Sequence, residues 1–173
     1  MKNEEQLILV DVTDQQQGCS SKTHVHTKAL LHRAFSVMVY NSKGELLIQQ
    51  RADSKYHSAG LWANSCCGHP RSKETTKIAA KRRLHEELGF TCDLSKVTEL
   101  SYFLSLGGGM YENEYTHVFA GQYEGDILPN PEEVSNIQWI KPKLLKQTCD
   151  LQPDIYSKWL QLYLSDYYYK IFI

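Results

Sequence analysis

The segment from Gly68 to Phe90 combines glycines, arginines and carboxylates in a spacing that could hold a metal ion against a diphosphate. Apolar residues recur every fourth position from Ala80 to Leu88, and this spacing predicts a helix with one buried face. Gly89 follows, at the position where a helix C-cap favours glycine. Carboxylates on such a helix are the hard oxygen ligands that Mg²⁺ prefers, and Mg²⁺ keeps few protein ligands when it also binds phosphate.

This segment resembles the sequence box of the Nudix family. The matching positions are Gly68, Glu74, Arg82, Leu84, Glu86, Glu87, Gly89 and Phe90. A salt-bridged surface helix would account for the charges but not for the two glycines. The box has a glutamate directly after its arginine, whereas this chain has Arg83. Arg83 lies one helical turn from Glu87, so the pair suits a diphosphate oxygen on the arginine and a metal on the glutamate. That arrangement favours binding a diphosphate over hydrolysing it.

Three further segments are distinctive: HTKALLHRAFS at 26–36, NSCCGHP at 64–70 and YENE at 111–114. Together with the altered box they resemble type I isopentenyl diphosphate isomerase, over residues 22–159. The resemblance implies conversion of isopentenyl diphosphate to dimethylallyl diphosphate in isoprenoid biosynthesis, by protonation and deprotonation through a tertiary carbocation. The alternative is a Nudix hydrolase of a nucleoside diphosphate derivative, which keeps the box but does not require the loop with Cys67 and His69.

The resemblance also implies a divalent metal bound by three histidines and two glutamates. The matching residues are His26, His32, His69, Glu112 and Glu114. Imidazole and carboxylate groups suit Zn²⁺ or Mn²⁺, and Mg²⁺ is the other candidate. The two glutamates are two positions apart, so on a strand they point to one face.

Other histidines are weaker candidates for ligands of this metal. His24 is an alternative to His26, which is preferred because it falls in the register of the HTKALLHRAFS segment. His57, His85 and His117 lie outside the motifs and are interpreted as ordinary residues.

In the resembled family the acid–base pair is a cysteine and a glutamate, here Cys67 and Glu114. Moving a double bond requires one proton to be added and another removed, which needs two positioned groups on opposite faces of the substrate. An unperturbed thiol has a pKa of ~8.5 and so keeps its proton at neutral pH. Since neighbours on an extended segment point to opposite sides, Cys66 is expected to be a small buried residue.

Two aromatic residues also match family positions. The resemblance implies that Trp159 faces the carbocation, where an aromatic ring contributes ~0.5–2 kcal/mol. It implies that Tyr102 hydrogen-bonds the catalytic glutamate. Trp62 and Trp139 are expected to pack in the core.

Diphosphate binding requires cations besides Mg²⁺. The resemblance assigns this role to Lys22, Arg51, Lys55 and Arg83. It places Mg²⁺ between the substrate, Glu87 and the backbone carbonyl of Cys67.

The elements that must position these residues follow from periodicity and turn chemistry. Strands are predicted at residues 6–12, 34–40, 45–51, 97–106, 112–122 and 136–140, and helices at 74–88, 142–149 and 153–169. Asn41 to Gly44 has hairpin-turn chemistry, residues 13–28 read as irregular, and residues 52–73 read as a long loop of the kind that carries function.

The predicted fold is α+β: a Nudix-like mixed β-sheet flanked by helices, in a single domain over residues 1–173. Residues 1–21 form an N-terminal strand and loop. Residues 160–173 form an apolar C-terminal tail, which the sequence allows as a packing strand or a dimer contact.

The bulk composition excludes several classes of protein. The net charge is −1, which gives no general attraction to nucleic acid or acidic membranes. No apolar run is long enough for a membrane helix, and the first residues lack a signal-peptide pattern. Five scattered cysteines do not suggest a disulfide framework. We therefore expect a cytoplasmic enzyme with a small-molecule diphosphate substrate, no nucleic-acid or membrane partner, and a monomeric or weakly dimeric state.

Overall fold

Runs of strands are separated by single helices, and the last helices follow one another at the C-terminal end of the computed structural model, which describes residues 4–172. The strands are β1 Gln6–Val10, β2 Gln16–Ser21, β3 His32–Tyr40, β4 Leu46–Arg51, β5 Trp62–Ala63, β6 Cys66–Gly68, β7 Leu94–Gly107, β8 Met110–Gln122 and β9 Val134–Ile140. The helices are α1 Lys22–Thr27, α2 Thr76–Leu88, α3 Pro142–Leu151, α4 Lys158–Ser165 and α5 Tyr168–Ile171, with a 3-10 turn at Pro153–Ile155. No helix within residues 4–172 is long and apolar enough to cross a membrane.

Strand β3 organises the mixed sheet. It pairs in parallel with β8, from His32 opposite Glu114 onwards, and antiparallel with the short strand β6. β7 pairs with β8 along most of its length, and β4 carries β9 and β5. The middle of β3 is buried on both faces, which explains its nearly continuous apolar sequence.

Helices cover both faces of the sheet. Helix α2 packs Leu84 and Leu88 on the face that receives Val37 of β3. Helices α3, α4 and α5 cover the other face, which receives Met38. Successive residues of β3 thus belong to different cores, as the alternation of side chains along a strand requires. The predicted α+β class and helix-flanked mixed sheet are confirmed.

The predicted helix of the Nudix-like box is confirmed as α2. Thr75 caps its N-terminus by accepting a hydrogen bond from the Ile78 amide. Gly89 ends it in the left-handed conformation, with φ of 76°. A Cβ at this position would lie 2.8 Å from the carbonyl oxygen of Leu128. Glycine is therefore needed here for both backbone conformation and close packing.

The turn at residues 41–44 forms, but it does not produce a hairpin ladder. The Asn41 amide donates to the Glu45 carbonyl at 3.0 Å, and Gly44 has a φ of 68°. Only Tyr40 and Leu46 are paired between β3 and β4. The strands then diverge because β3 pairs with β6 and β8 while β4 pairs with β9.

Two segments predicted to be irregular contain regular structure. Within residues 13–28, polar residues form β2 and then helix α1, because β1 offers its edge as a template and Val25 and His26 are buried. Within residues 52–73, β5 and β6 add to the sheet. Tertiary pairing overrides the weak local preference of both segments.

The prediction of one continuous C-terminal helix was wrong. The predicted helix at residues 153–169 is divided into the 3-10 turn, α4 and α5. The apolar tail packs as the short helix α5 rather than as a strand. Its last residue, Ile171, and the following Phe172 are buried in the core. Residues 1–3 and 173, which the predicted domain limits include, lie outside the described residues.

Candidate active site

A cavity of about 190 Å³ gathers most of the residues selected from the sequence. The predicted site residues that line it are Lys22, Arg51, Lys55, Cys67, His69, Arg83, Glu87, Tyr102, Glu112, Glu114 and Trp159. His26 and His32 are fully buried behind its wall. Residues from separate strands and helices thus converge on one site.

Four of the five predicted metal ligands form a tight cluster. One ligand atom from each of His26, His32, His69 and Glu112 lies within 4.8 Å of all the others. His26 Nδ1 donates to the Lys22 carbonyl at 2.9 Å, and His32 Nδ1 donates to the Leu30 carbonyl at 2.9 Å. These bonds leave the Nε2 lone pairs facing the cluster, which is the usual arrangement of a histidine that binds a metal.

The cluster also contains buried atoms that lack partners. His26 Nε2 and Glu112 Oε2 are 3.2 Å apart but are not aligned for a hydrogen bond, and neither has another such partner within residues 4–172. Leaving buried polar atoms unpaired costs about 1–3 kcal/mol each. The donor types and their orphaned lone pairs fit a divalent cation.

Glu114, the fifth predicted ligand, borders the cluster. Its Oε1 lies 3.2 Å from His69 Nε2 and 3.7 Å from His32 Nε2. Its Oε2 accepts hydrogen bonds from the Tyr102 hydroxyl at 2.5 Å and the Thr116 hydroxyl at 3.0 Å. Glu114 therefore connects the metal-compatible cluster to Tyr102, which also lines the cavity.

The pKa values of the two glutamates of strand β8 are shifted in opposite directions. Burial and the nearby charge of Glu114 raise the pKa of Glu112 well above its usual value. Burial also opposes ionisation of Glu114, but the neighbouring rings of His32 and His69 hold its pKa well below its usual value. Two neighbouring buried carboxyls do not ionise equally, because the charge of one disfavours ionisation of the other.

The adjacent cysteines face opposite sides of the sheet, as predicted. Cys66 is fully buried in the core beneath α2, whereas Cys67 reaches the cavity. Burial raises the pKa of Cys67 to about 12, although the charge of Arg51 opposes this shift. Cys67 is therefore a neutral thiol at neutral pH. All the cysteines are free thiols.

Trp159 enters the cavity from helix α4 and is 4% exposed. Its indole nitrogen donates to Asn64 Oδ1 at 3.1 Å, which fixes the ring, and the Arg51 guanidinium lies 5.4 Å from the ring centre. Trp62 and Trp139 pack against the two cores, as predicted.

Tyr102 belongs to a chain of hydroxyl groups that the sequence did not reveal. Its oxygen lies 3.1 Å from the Tyr163 hydroxyl, which lies 2.9 Å from Ser36 Oγ. Tyr163 belongs to no motif, and Ser36, the last residue of the HTKALLHRAFS segment, was assigned no role. The packing of α4 against the sheet brings the two hydroxyls together.

The predicted diphosphate cations all line the cavity, and three of them pair with carboxylates. Lys22 contacts Glu5 at 3.0 Å. Arg83 donates to Glu87 at 2.6 Å, as their helical spacing predicted. Lys55 pairs with Glu133, a residue outside the motifs, to which Arg83 also donates.

Arg51 and the remaining arginine of the box have other partners. Arg51 Nη2 donates to the His57 carbonyl at 3.2 Å. Arg82 forms two hydrogen bonds with Glu74, at 2.8 and 2.9 Å, and holds the loop before α2 against the helix. Arg82 and Glu74 thus support the site without lining the cavity.

The interpretation of His57 as an ordinary residue was wrong about its position. His57 lines the cavity, and its Nε2 lies 3.7 Å from Glu112 Oε1. Its ring centre is 6.1 Å from that of Trp159. Burial lowers the pKa of His57 to about 3. No periodicity in the 52–61 loop could have indicated this location.

The other histidines lie where the sequence interpretation placed them. His24 and His85 are exposed on their helices, which supports the choice of His26 over His24. His117 is outside the cavity and contacts Asp14 at 2.9 Å.

Comparison with known proteins agrees with this geometry. The NUDIX domain model matches residues 30–162. The fold resembles the crystal structure of a Deinococcus radiodurans protein, with a TM-score of 0.76, 22% identity, and coverage of 91% of this chain and 96% of that one. It also resembles the MutT protein of Methanosarcina mazei, with a TM-score of 0.65, 18% identity, and coverage of 80% and 94%. The fold and the box define a protein of the Nudix class.

Named relatives identify the family within the Nudix class. The chain is 44% identical to isopentenyl-diphosphate Delta-isomerase 2 of Photorhabdus laumondii, over 96% of this chain and 94% of that protein. It is 45% identical to isopentenyl-diphosphate Delta-isomerase of Serratia proteamaculans, over 94% and 91%. The chain belongs to the isopentenyl-diphosphate Delta-isomerase family.

Proposed function

We propose that this protein isomerises isopentenyl diphosphate to dimethylallyl diphosphate, the reaction for which its relatives are named. The observation that carries the proposal is that Cys67 and Glu114 line the same cavity as the diphosphate-binding cations and Trp159. A Nudix hydrolase needs no cysteine at this point, and the relatives that span the chain carry the isomerase name.

Two groups can move protons on opposite sides of the substrate. Cys67 lies on β6 and Glu114 on β8, and these strands pair with opposite edges of β3. In the reaction, one group adds a proton to the terminal alkene carbon, which leaves the positive charge on the internal alkene carbon. The other group removes a proton from the methylene attached to that internal carbon. Tyr102 holds the Glu114 carboxylate in place through its hydrogen bond.

The cavity also suits a carbocation intermediate. The face of the buried Trp159 ring offers electron density without a nucleophilic atom. Cys67 is kept in its neutral form by burial, which raises its pKa to about 12. The resting thiol therefore carries its proton before the reaction begins.

The diphosphate would lie among the cations at the other end of the cavity. Lys22, Arg51, Lys55 and Arg83 are the proposed anchors. Glu87 and the Cys67 carbonyl would hold Mg²⁺, which when bound neutralises part of the substrate charge.

A second divalent ion would be held by His26, His32, His69, Glu112 and Glu114. When bound, it supplies positive charge that stabilises the ionised carboxylates. The donor set favours Zn²⁺ or Mn²⁺ over Mg²⁺. We also propose that the enzyme works in the cytoplasm as a monomer or weak dimer.

The test is proton NMR of the purified protein with isopentenyl diphosphate and Mg²⁺ in D₂O. We expect dimethylallyl diphosphate with deuterium in its new methyl group. Cys67→Ala should abolish this signal, whereas Cys66→Ala, at the neighbouring core-facing cysteine, should retain most of it. Release of inorganic phosphate without the isomer would instead establish hydrolysis and overturn the proposal.

A further inference from the structure

The cavity that receives an anionic substrate also presents a carboxylate, Glu133, that lies outside every sequence motif. Its Oε2 atom accepts hydrogen bonds from Lys55 Nζ and, at 3.0 Å, from Arg83 Nη2. Glu133 is a cavity-lining residue with 23% side-chain exposure. One carboxylate oxygen therefore holds two of the proposed diphosphate-binding cations.

The backbone fixes this arrangement. The Glu133 amide donates to the Asn130 carbonyl at 2.9 Å, and its carbonyl accepts from the Ala52 amide at 3.0 Å. The Asn130 amide in turn donates to the Glu87 carbonyl at 2.9 Å, at the end of α2. Glu133 is thus anchored both to the end of strand β4 and to the helix that carries Arg83.

The charges at the proposed diphosphate end of the cavity are nearly balanced before a ligand enters. The cations are Lys22, Arg51, Lys55 and Arg83, and the carboxylates that face them are Glu5, Glu87 and Glu133. An entering anion must replace Glu133 at Lys55 and Arg83, and it then lies beside the displaced carboxylate. The resulting repulsion increases with the negative charge of the anion. A diphosphate alone carries more negative charge than the same diphosphate bound to Mg²⁺.

We propose that Glu133 makes the cavity selective for a Mg²⁺-bound organic diphosphate over the free diphosphate anion. Glu133 acts as a counter-ion that Lys55 and Arg83 exchange for the ligand, and its negative charge penalises the more highly charged form. The inference rests on the proposed function, since it requires Lys55 and Arg83 to bind the substrate diphosphate.

The test is calorimetric binding of isopentyl diphosphate, the saturated analogue, which has no double bond to isomerise. Protein of measured metal content is titrated with and without added Mg²⁺. For Glu133→Gln, affinity in the absence of Mg²⁺ should rise about tenfold, and affinity in its presence should change much less. The ratio of the affinity with Mg²⁺ to the affinity without Mg²⁺ should therefore fall.

Three variants control the measurement. Glu133→Asp retains the charge and should keep the wild-type ratio. Glu132→Gln removes the same charge from the exposed neighbouring residue and should also keep it. Glu133→Ala is a second neutral variant, which should lower the ratio as Glu133→Gln does. Circular dichroism melts verify that each protein is folded.

An unchanged ratio in both folded neutral variants, or an equal fall in Glu132→Gln, would overturn the inference. The result is independent of turnover. If the wild type formed no dimethylallyl diphosphate while neutral Glu133 variants still lowered the ratio, the proposed reaction would fail and the selectivity of the anion site would stand.

Discussion

Tyr102 and Glu114 are direct partners across the β7–β8 ladder, and the tyrosine hydroxyl donates a 2.5 Å hydrogen bond to the glutamate. Burial raises the pKa of Tyr102 well above its usual value, and the charge of Glu114 adds to this effect. The phenol therefore keeps its proton and remains a donor. This bond gives a charged carboxylate a fixed orientation towards the cavity.

Removing this hydroxyl should impair the proton-transfer step more than substrate binding. We expect Tyr102→Phe to lower kcat by about 10- to 100-fold, with a much smaller effect on KM, because Glu114 loses its positioning donor. The matched control is Tyr115→Phe on β8, whose hydroxyl donates instead to Glu99 on the exposed side. An equal loss of kcat in both variants would assign the effect to general damage to the sheet.

His57 should support the metal-compatible cluster through Glu112. Its Nε2 faces Glu112 Oε1, while the other carboxylate oxygen faces His26 and His32. Loss of a residue that orients a metal ligand typically lowers metal affinity by about 10- to 100-fold. We expect His57→Ala to lower Zn²⁺ affinity by about tenfold, measured by competition with a chromogenic chelator. His24→Ala, at an exposed histidine, should have wild-type affinity.

The sequence was sufficient for most of the fold and for most of the residues that line the cavity. The box predicted α2 because its apolar spacing and the C-cap glycine, Gly89, both act locally. The side-by-side placement of Glu112 and Glu114 followed from strand geometry. His57 and Glu133 could not be found in this way. Both lie in connecting segments. The Arg51 guanidinium donates to the His57 carbonyl and the Ala52 amide donates to the Glu133 carbonyl, so tertiary contacts rather than local periodicity set their positions.

Metal removal should loosen the N-terminal part of the site. His26 lies on the short helix α1, in which it and Val25 are the buried residues. A ligand present at 100 times its Kd stabilises the folded state by about 2.7 kcal/mol. Exhaustive chelation should therefore lower the Tm and increase proteolysis within residues 13–31.

Zn²⁺ or Mn²⁺ should reverse both effects of chelation. A His26→Ala protein should show the chelated behaviour with or without metal. Equal cleavage of the metal-loaded and metal-free wild-type proteins would show that α1 is ordered independently of the ion.

His117 should make the contact between β8 and the turn that joins β1 and β2 sensitive to acid. Its Nε2 contacts Asp14 at 2.9 Å, and Asp14 forms a second ion pair with Arg33 at 2.6 Å. Glu99 is the other charged group that faces the ring, with an oxygen 3.5 Å from Nδ1. Burial lowers the pKa of His117 below its ordinary value of 6.5, although the hydrogen bond to Asp14 opposes the shift.

The sign of the effect follows from proton linkage. Below pH 6.5 the unfolded chain takes up a proton that the folded chain resists, so the His117 contribution to stability is present above that pH and is lost as the pH falls. We expect the Tm difference between pH 7 and pH 5 to be smaller for His117→Gln than for the wild type. His85→Gln, which changes an exposed histidine, should match the wild-type difference. Since the histidines of the metal-compatible cluster are common to all three proteins, a difference confined to His117→Gln isolates the contact between β8 and the β1–β2 turn. Identical pH dependence in the three proteins would exclude it.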